Sequence, residues 1–169
     1  MNDVKKPLEP SEMMRLRAVE GWLELGNPNE ASEELSQIAT RHQGHPDVMQ
    51  ARWHVNAKLQ RWDACVEIGK AMVTLTPNKS LGWINYANAL FYLKKYQEAF
   101  DILFPVVQRF PKNPYMRYNL ACYQCQLGNH DVSMDWFKKA MDLGDAKELK
   151  RMALEDGDLK PVWKRIASL

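Results

Sequence analysis

The chain has 169 residues, nearly half of them apolar, and its charges of both signs leave a net charge of only +2. That composition fits one sizeable folded domain and excludes a disordered tail, and the charge gives no electrostatic reason to expect nucleic acid or an anionic membrane as partner. No run approaches the ~20 apolar residues of a membrane helix, the opening MNDVKKPLEP has no signal-peptide core, and three cysteines, an odd number, make no disulfide framework, so a cytoplasmic protein without membrane insertion is expected.

Residues 1–11 read as a flexible polar lead, with Ser11 as a helix cap and Glu12 suited to a first turn. Over 12–45, Ala18, Val19, Trp22 and Leu25 share one helical face, Gly26 ends that helix, and Asn27-Pro28 opens a second, with Glu30 placed for a capping box. Ala31, Leu35 and Ile38 continue the seam. Over 46–79 a weaker version follows, carried by Trp53, Leu59, Trp62, Cys65, Met72 and Pro77. Gly69 lies inside its second helix, where glycine costs ~1 kcal/mol relative to alanine, so this unit is either the softest or one where a neighbour packs very close.

The clearest unit is 80–113. Trp83, Tyr86, Ala87 and Leu90 recur at helical spacing, the pattern restarts with Tyr96, Ala99, Leu103 and Val106, and Pro111 stops it. Pro105 falls inside the second helix and is expected to bend it. Over 114–143, Asn113-Pro114 starts a helix, and Leu120, Ala121, Leu127, Gly128, Phe137 and Ala140 repeat the pattern. Gly144 ends the last paired helix, Asp145 with Glu148 opens a capped helix, Gly157-Asp158 breaks the chain, and Leu159, Val162, Trp163 and Ile166 form a final apolar stripe.

The four units start at Glu12, Pro46, Ser80 and Pro114, each 34 residues after the last, with small and large residues aligned. In this the sequence resembles the tetratricopeptide repeat (TPR) family, whose 34-residue motif pairs two helices. The family's aromatic, small and proline positions are held in 80–113 by Trp83, Tyr86, Ala87, Tyr96, Ala99, Leu103, Val106 and Pro111. The first unit departs from it with Arg15 and Gln43, as a terminal repeat would, and the fourth has Arg117 for an aromatic and Ser133 at a small position. The resemblance implies an all-α fold, an α-α superhelix or TPR solenoid of antiparallel helix pairs, with four repeats (12–45, 46–79, 80–113, 114–143) and C-terminal capping helices in 144–169.

The resemblance further implies that the first helix of each repeat lines a concave groove that binds a partner. The facing positions are Met13, Leu16, Arg17, Glu20, Leu23 and Glu24, then Asp47, Gln50, Ala51, His54, Ala57 and Lys58, then Leu81, Ile84, Asn85, Asn88, Phe91 and Tyr92, and finally Tyr115, Tyr118, Asn119, Cys122, Cys125 and Gln126. The expected partner-binding groove is His54, Asn85, Asn88, Tyr92, Tyr115, Tyr118, Asn119 and Cys122. Asparagine bridges a peptide backbone with a donor and an acceptor, and tyrosine supplies flat apolar area with a polar tip. Such a polar-aromatic, weakly charged surface should bind with little dependence on salt. The two-carboxylate clamp of some family members is not present, since only Asn85 matches its pattern.

Cys122 and Cys125 fall on one helical face, but no second pair accompanies them, so they read as packing residues rather than zinc ligands. His42, His45, His54 and His130 show no metal spacing, and no phosphate loop, nucleophile motif or paired acidic site occurs. Phe104 and Phe110 read as packing residues, with surface association the alternative. The expectation is a non-enzymatic adaptor or chaperone-like module that needs no cofactor and no metal and binds a peptide or helix of another protein. The alternative is a self-associating scaffold acting through convex or terminal surfaces, a homo-oligomer.

Overall fold

The computed structural model describes residues 7–169; residues 1–6 of the expected lead lie outside them. Among the described residues the chain is all-α, with ten α-helices and no strand. They are α1 (Pro10–Glu24), α2 (Pro28–Ser36), α3 (Pro46–Lys58), α4 (Trp62–Leu75), α5 (Ser80–Tyr92), α6 (Tyr96–Leu103), α7 (Pro114–Gln126), α8 (His130–Met141), α9 (Ala146–Glu155) and α10 (Trp163–Ala167). Shorter 3₁₀ turns cover Thr40–His42, Phe104–Arg109 and Gly157–Val162. The chain forms two compact units, one up to Ala89 and one from Leu90.

In the first unit, α1, α2 and α3 close over Val19, Ala31, Leu35, Ile38, Val48 and Val55, all buried. Fully burying such a side chain contributes about 1.5–3 kcal/mol. Helices α1, α2 and α3 each open with proline at the first helical position, where its missing N–H costs nothing. Glu9, rather than Ser11, precedes α1, and Asn27 makes no side-chain cap, so the capping box expected from Asn27 and Glu30 does not form. Gly26 ends α1 with φ +74°, a conformation that costs glycine little.

The first turn of α1 is tied down by a buried acid. Glu12 Oε2 lies 2.6 Å from His42 Nδ1, and both side chains are almost fully buried. The same carboxylate accepts from the backbone N–H of Glu9 and of Ala39. The contact with His42 is the main reason the Glu12 carboxyl is held below its usual value. Gln43, in the place of the family's proline, bridges the same region: its amide donates to Ile38 O at 2.6 Å and its carbonyl accepts from Arg52.

Gly69 is a point of close approach. A Cβ there would lie 2.6 Å from the Cα of Tyr86, and one on Gly82 would meet Met72 at 3.1 Å. Helices α4 and α5 therefore touch backbone to backbone, and Cys65, at a small position of α4, is buried with its Sγ 3.6 Å from Trp53 O.

The second unit is built on α7 and α8. Tyr123, Phe137, Leu103, Met116 and Leu120 are completely or almost completely buried, and Ser133 spans the helix pair by donating to Ala121 O at 2.8 Å. Asn113 caps α7 by accepting from Met116 N–H, and Asp145 caps α9 by accepting from Glu148 N–H, as their positions suggested. Arg117 sits buried at the family's aromatic position and donates to the carbonyls of Phe110 and Asn113. Pro105 does more than bend its helix: the α-helix ends at Leu103 and continues as a 3₁₀ turn. Phe104, at the start of that turn, is 47% exposed rather than packed in the core.

Replacing Gly69 with alanine is expected to destabilise the fold by about 1–3 kcal/mol, because the new methyl meets backbone that cannot yield. Gly21→Ala, in a helix with open space around the site, is expected to stabilise it by about 0.5–1 kcal/mol. Urea melts followed by circular dichroism would test both.

Candidate binding site

The family resemblance implies a groove along one face of each first helix, and the structure treats that face differently in the two units. In the first unit, α1 and α3 leave an opening of about 190 Å³. Leu16, Val19, Leu23 and Ala51 give it apolar walls, and Glu20, Asp47, Gln50 and His54 supply its polar groups.

A hydrogen-bonded relay fixes part of this face. Asn85 Nδ2 donates to Gln50 Oε1 at 2.7 Å, and Gln50 Nε2 stands 2.8 Å from His54 Nε2. With its oxygen engaged by Asn85, the Gln50 amide donates its own N–H to His54, so His54 Nε2 is an acceptor and carries no proton. Asn85 is itself buried and also faces Met72 Sδ at 3.7 Å. The hydrogen bond orients the Gln50 amide. Partial burial pushes the His54 imidazole below its ordinary value, against the opposing pull of Glu20.

In the second unit the register-equivalent face of α7 is filled by the chain itself. Asp156 and the 3₁₀ turn after it lie against that helix. Tyr118 Oη donates to Asp156 Oδ2 at 2.8 Å, and Gln126 Nε2 donates to the backbone carbonyl of Asp158 at 2.7 Å. Cys122 Sγ is 3.7 Å from the same Asp156 oxygen. Asp156 Oδ1 accepts from the backbone N–H of Asp158, and its carbonyl accepts from Trp163 Nε1. Asp156 and Asp158 are therefore the seam that attaches the C-terminal segment to α7.

Of the residues expected to form the groove, Tyr118 and Cys122 are thus buried beneath the chain's own C-terminal segment. Tyr92 and Tyr115 are about half exposed, both at 52%, and Asn88 and Asn119 are partly buried. His54 remains at the solvent edge of the α1–α3 opening. The residues that wall that opening, Leu16, Glu20, Leu23, Asp47, Gln50 and Ala51, had the right register. They lacked the Asn and Tyr chemistry by which the groove residues were singled out.

Cys122 and Cys125 are buried, and burial pushes both thiols up, so they are poor nucleophiles and poor metal ligands as they stand. Among the described residues, no cluster of three or more His, Cys, Asp or Glu is arranged to hold a metal ion, and no helix is long and apolar enough to cross a membrane.

These helix pairs define the class: an all-α, TPR-like helical-repeat fold. Among solved structures the chain is similar to MamA 41-end from Desulfovibrio magneticus RS-1, with a TM-score of 0.69 at 19% identity over 96% of this chain and 97% of that one. It is similar also to the MamA RS-1 ArsTM double mutant (TM-score 0.68, 19% identity, 95% and 93% covered) and to another crystal structure of MamA (TM-score 0.67, 14% identity, 81% and 80% covered). No protein-family model matches the sequence, and comparison with curated proteins gives no match.

Because the folded protein holds His54 below the 6.5 of a free imidazole, the unfolded chain takes up that proton first on acidification. Stability is therefore expected to fall as the pH drops through about 6.5 toward the folded value. His54→Gln keeps an acceptor for Gln50 and removes the titration, so its urea midpoint should lose less than wild type between about pH 7.5 and about pH 5.5.

Proposed function

We propose that the protein is a non-enzymatic protein-binding module that holds a segment of a partner on the face shared by α1 and α3. The observation that carries the reading is the contrast between register-equivalent faces. On α7, side chains at these positions hold an irregular stretch of chain by one contact to a carboxylate and one to a backbone carbonyl. On α1 and α3 the same register gives an open recess with apolar walls and a pre-oriented amide, Gln50. A face of this type accepts extended or irregular chain, and among the described residues none occupies the α1–α3 face. An adaptor role needs no chemistry beyond this, and three free thiols suit the reducing cytoplasm.

The test is site-specific photocrosslinking in the native cell. A photoreactive phenylalanine at Glu20 is expected to capture a partner protein, and one at Glu67, exposed on α4, is expected not to. Equal capture at both positions would remove the assignment to this face.

A second reading, self-association, is favoured by an aromatic strip on the second unit. Exposed Phe104 stacks on Phe100 with ring centres 5.0 Å apart and meets Trp136 edge-on at 6.1 Å. If this strip joins copies of the chain, sedimentation velocity should show mass rising with concentration for wild type and a monomer for Phe104→Asp. A monomer for both would end this reading.

A further inference from the structure

We infer that the opening between α1 and α3 takes a partner segment in which a lysine or arginine flanks an apolar residue. The inference rests on the proposed function and adds the chemistry of what is held.

Among the described residues that line the opening, the two ionised side chains, Glu20 and Asp47, are both acidic. Among the described residues, no lysine or arginine forms an ion pair with either carboxylate. The ion pairs of this unit join other residues: Arg15 with Glu34, Arg41 with Glu9 and Lys70 with Glu67. His45 Nδ1 lies 3.7 Å from Asp47 Oδ2 and accepts the backbone N–H of Asp47. Lys58, the last residue of α3, and Glu20 act on His54 with opposite sign. His54 accepts from Gln50, so the ionised groups that line the recess are the two carboxylates.

Spacing adds a second constraint. Glu20 acts electrostatically on His54, and Asp47 precedes His54 by about two helical turns, about 10 Å along α3. That is the reach of about three residues of extended chain. Leu16, Leu23 and Ala51 give the same opening its apolar walls. A segment with cations about three residues apart and an aliphatic side chain between them would meet acid, apolar wall and acid in turn, with the Gln50 amide beside its backbone. This patch, unlike the weakly charged surface expected from the whole groove, binds with a visible salt dependence.

The test uses the isotopically labelled full chain and two blocked octapeptides. One is Gly-Ser-Lys-Leu-Ala-Lys-Ser-Gly; its twin has glutamate in both lysine places. Amide chemical shifts at Leu16, Leu23 and Ala51 are expected to move with the lysine peptide and not with the glutamate one. The double variant Glu20→Gln/Asp47→Asn changes only exposed side chains, and it should weaken the lysine peptide about five- to tenfold. Equal shifts with both peptides at this face would overturn the charge assignment and leave the face as a binding site. Shifts elsewhere, or none with either peptide, would overturn the inference and with it the placement of the site.

Discussion

Two antiparallel helices cannot bury the apolar face they share, so a chain of such pairs depends on close approach between neighbours and on a cover wherever the series ends. Close approach needs backbone to meet backbone. Gly69 provides it by leaving no side chain between α4 and Tyr86 of α5. Ala31, Ala99, Ala121 and Ala140 lie at small positions and are completely buried. The cover takes two forms. At the beginning, the Glu12–His42 contact joins the first turn of α1 to the 3₁₀ turn after α2. In the second unit, α9, a 3₁₀ turn and α10 bring Leu149, Ala153, Leu159, Val162 and Ile166 into the core.

Much of the helical plan was readable from residue order, because each signal is local. Gly26 and Gly128 adopt the left-handed conformation that ends a helix, and Asn113 and Asp145 accept from the N–H groups of the turns they cap. The weaker readings failed where local and tertiary demands diverge. Asn27 stands correctly for a cap but its side chain makes no cap bond, while proline at the next position already defines the turn. Pro105 fixes where the α-helix stops, yet spacing alone does not show that the chain carries on as a 3₁₀ turn and leaves Phe104 on the surface.

The candidate site was legible as a face and not as an occupancy. Register placed Gln50, His54, Tyr118, Cys122 and Gln126 on equivalent faces, and composition then favoured Asn and Tyr as ligand groups. What decides their availability is long-range. Tyr118 is covered because Asp156, 38 residues away in sequence, accepts its hydroxyl. Asn85 is withdrawn because Gln50, 35 residues away, takes its amide proton. Neither pairing has a local signature: an Asp in an acidic turn looks solvated until the chain around it is seen to fold back.

The covered face of α7 also differs in kind from a regulated one. An occupant that could be exchanged would have to leave without dismantling the core. Here the segment that supplies Asp156 and the Asp158 carbonyl also supplies Leu159 and Val162, both essentially without exposure. Exposing two such side chains costs about 3–6 kcal/mol before any hydrogen bond is counted. A competing segment would need to recover all of that in contacts of its own. Asp156 with its turn is therefore part of the fold of the second unit, and the C-terminal segment is the cover that its last helix pair requires.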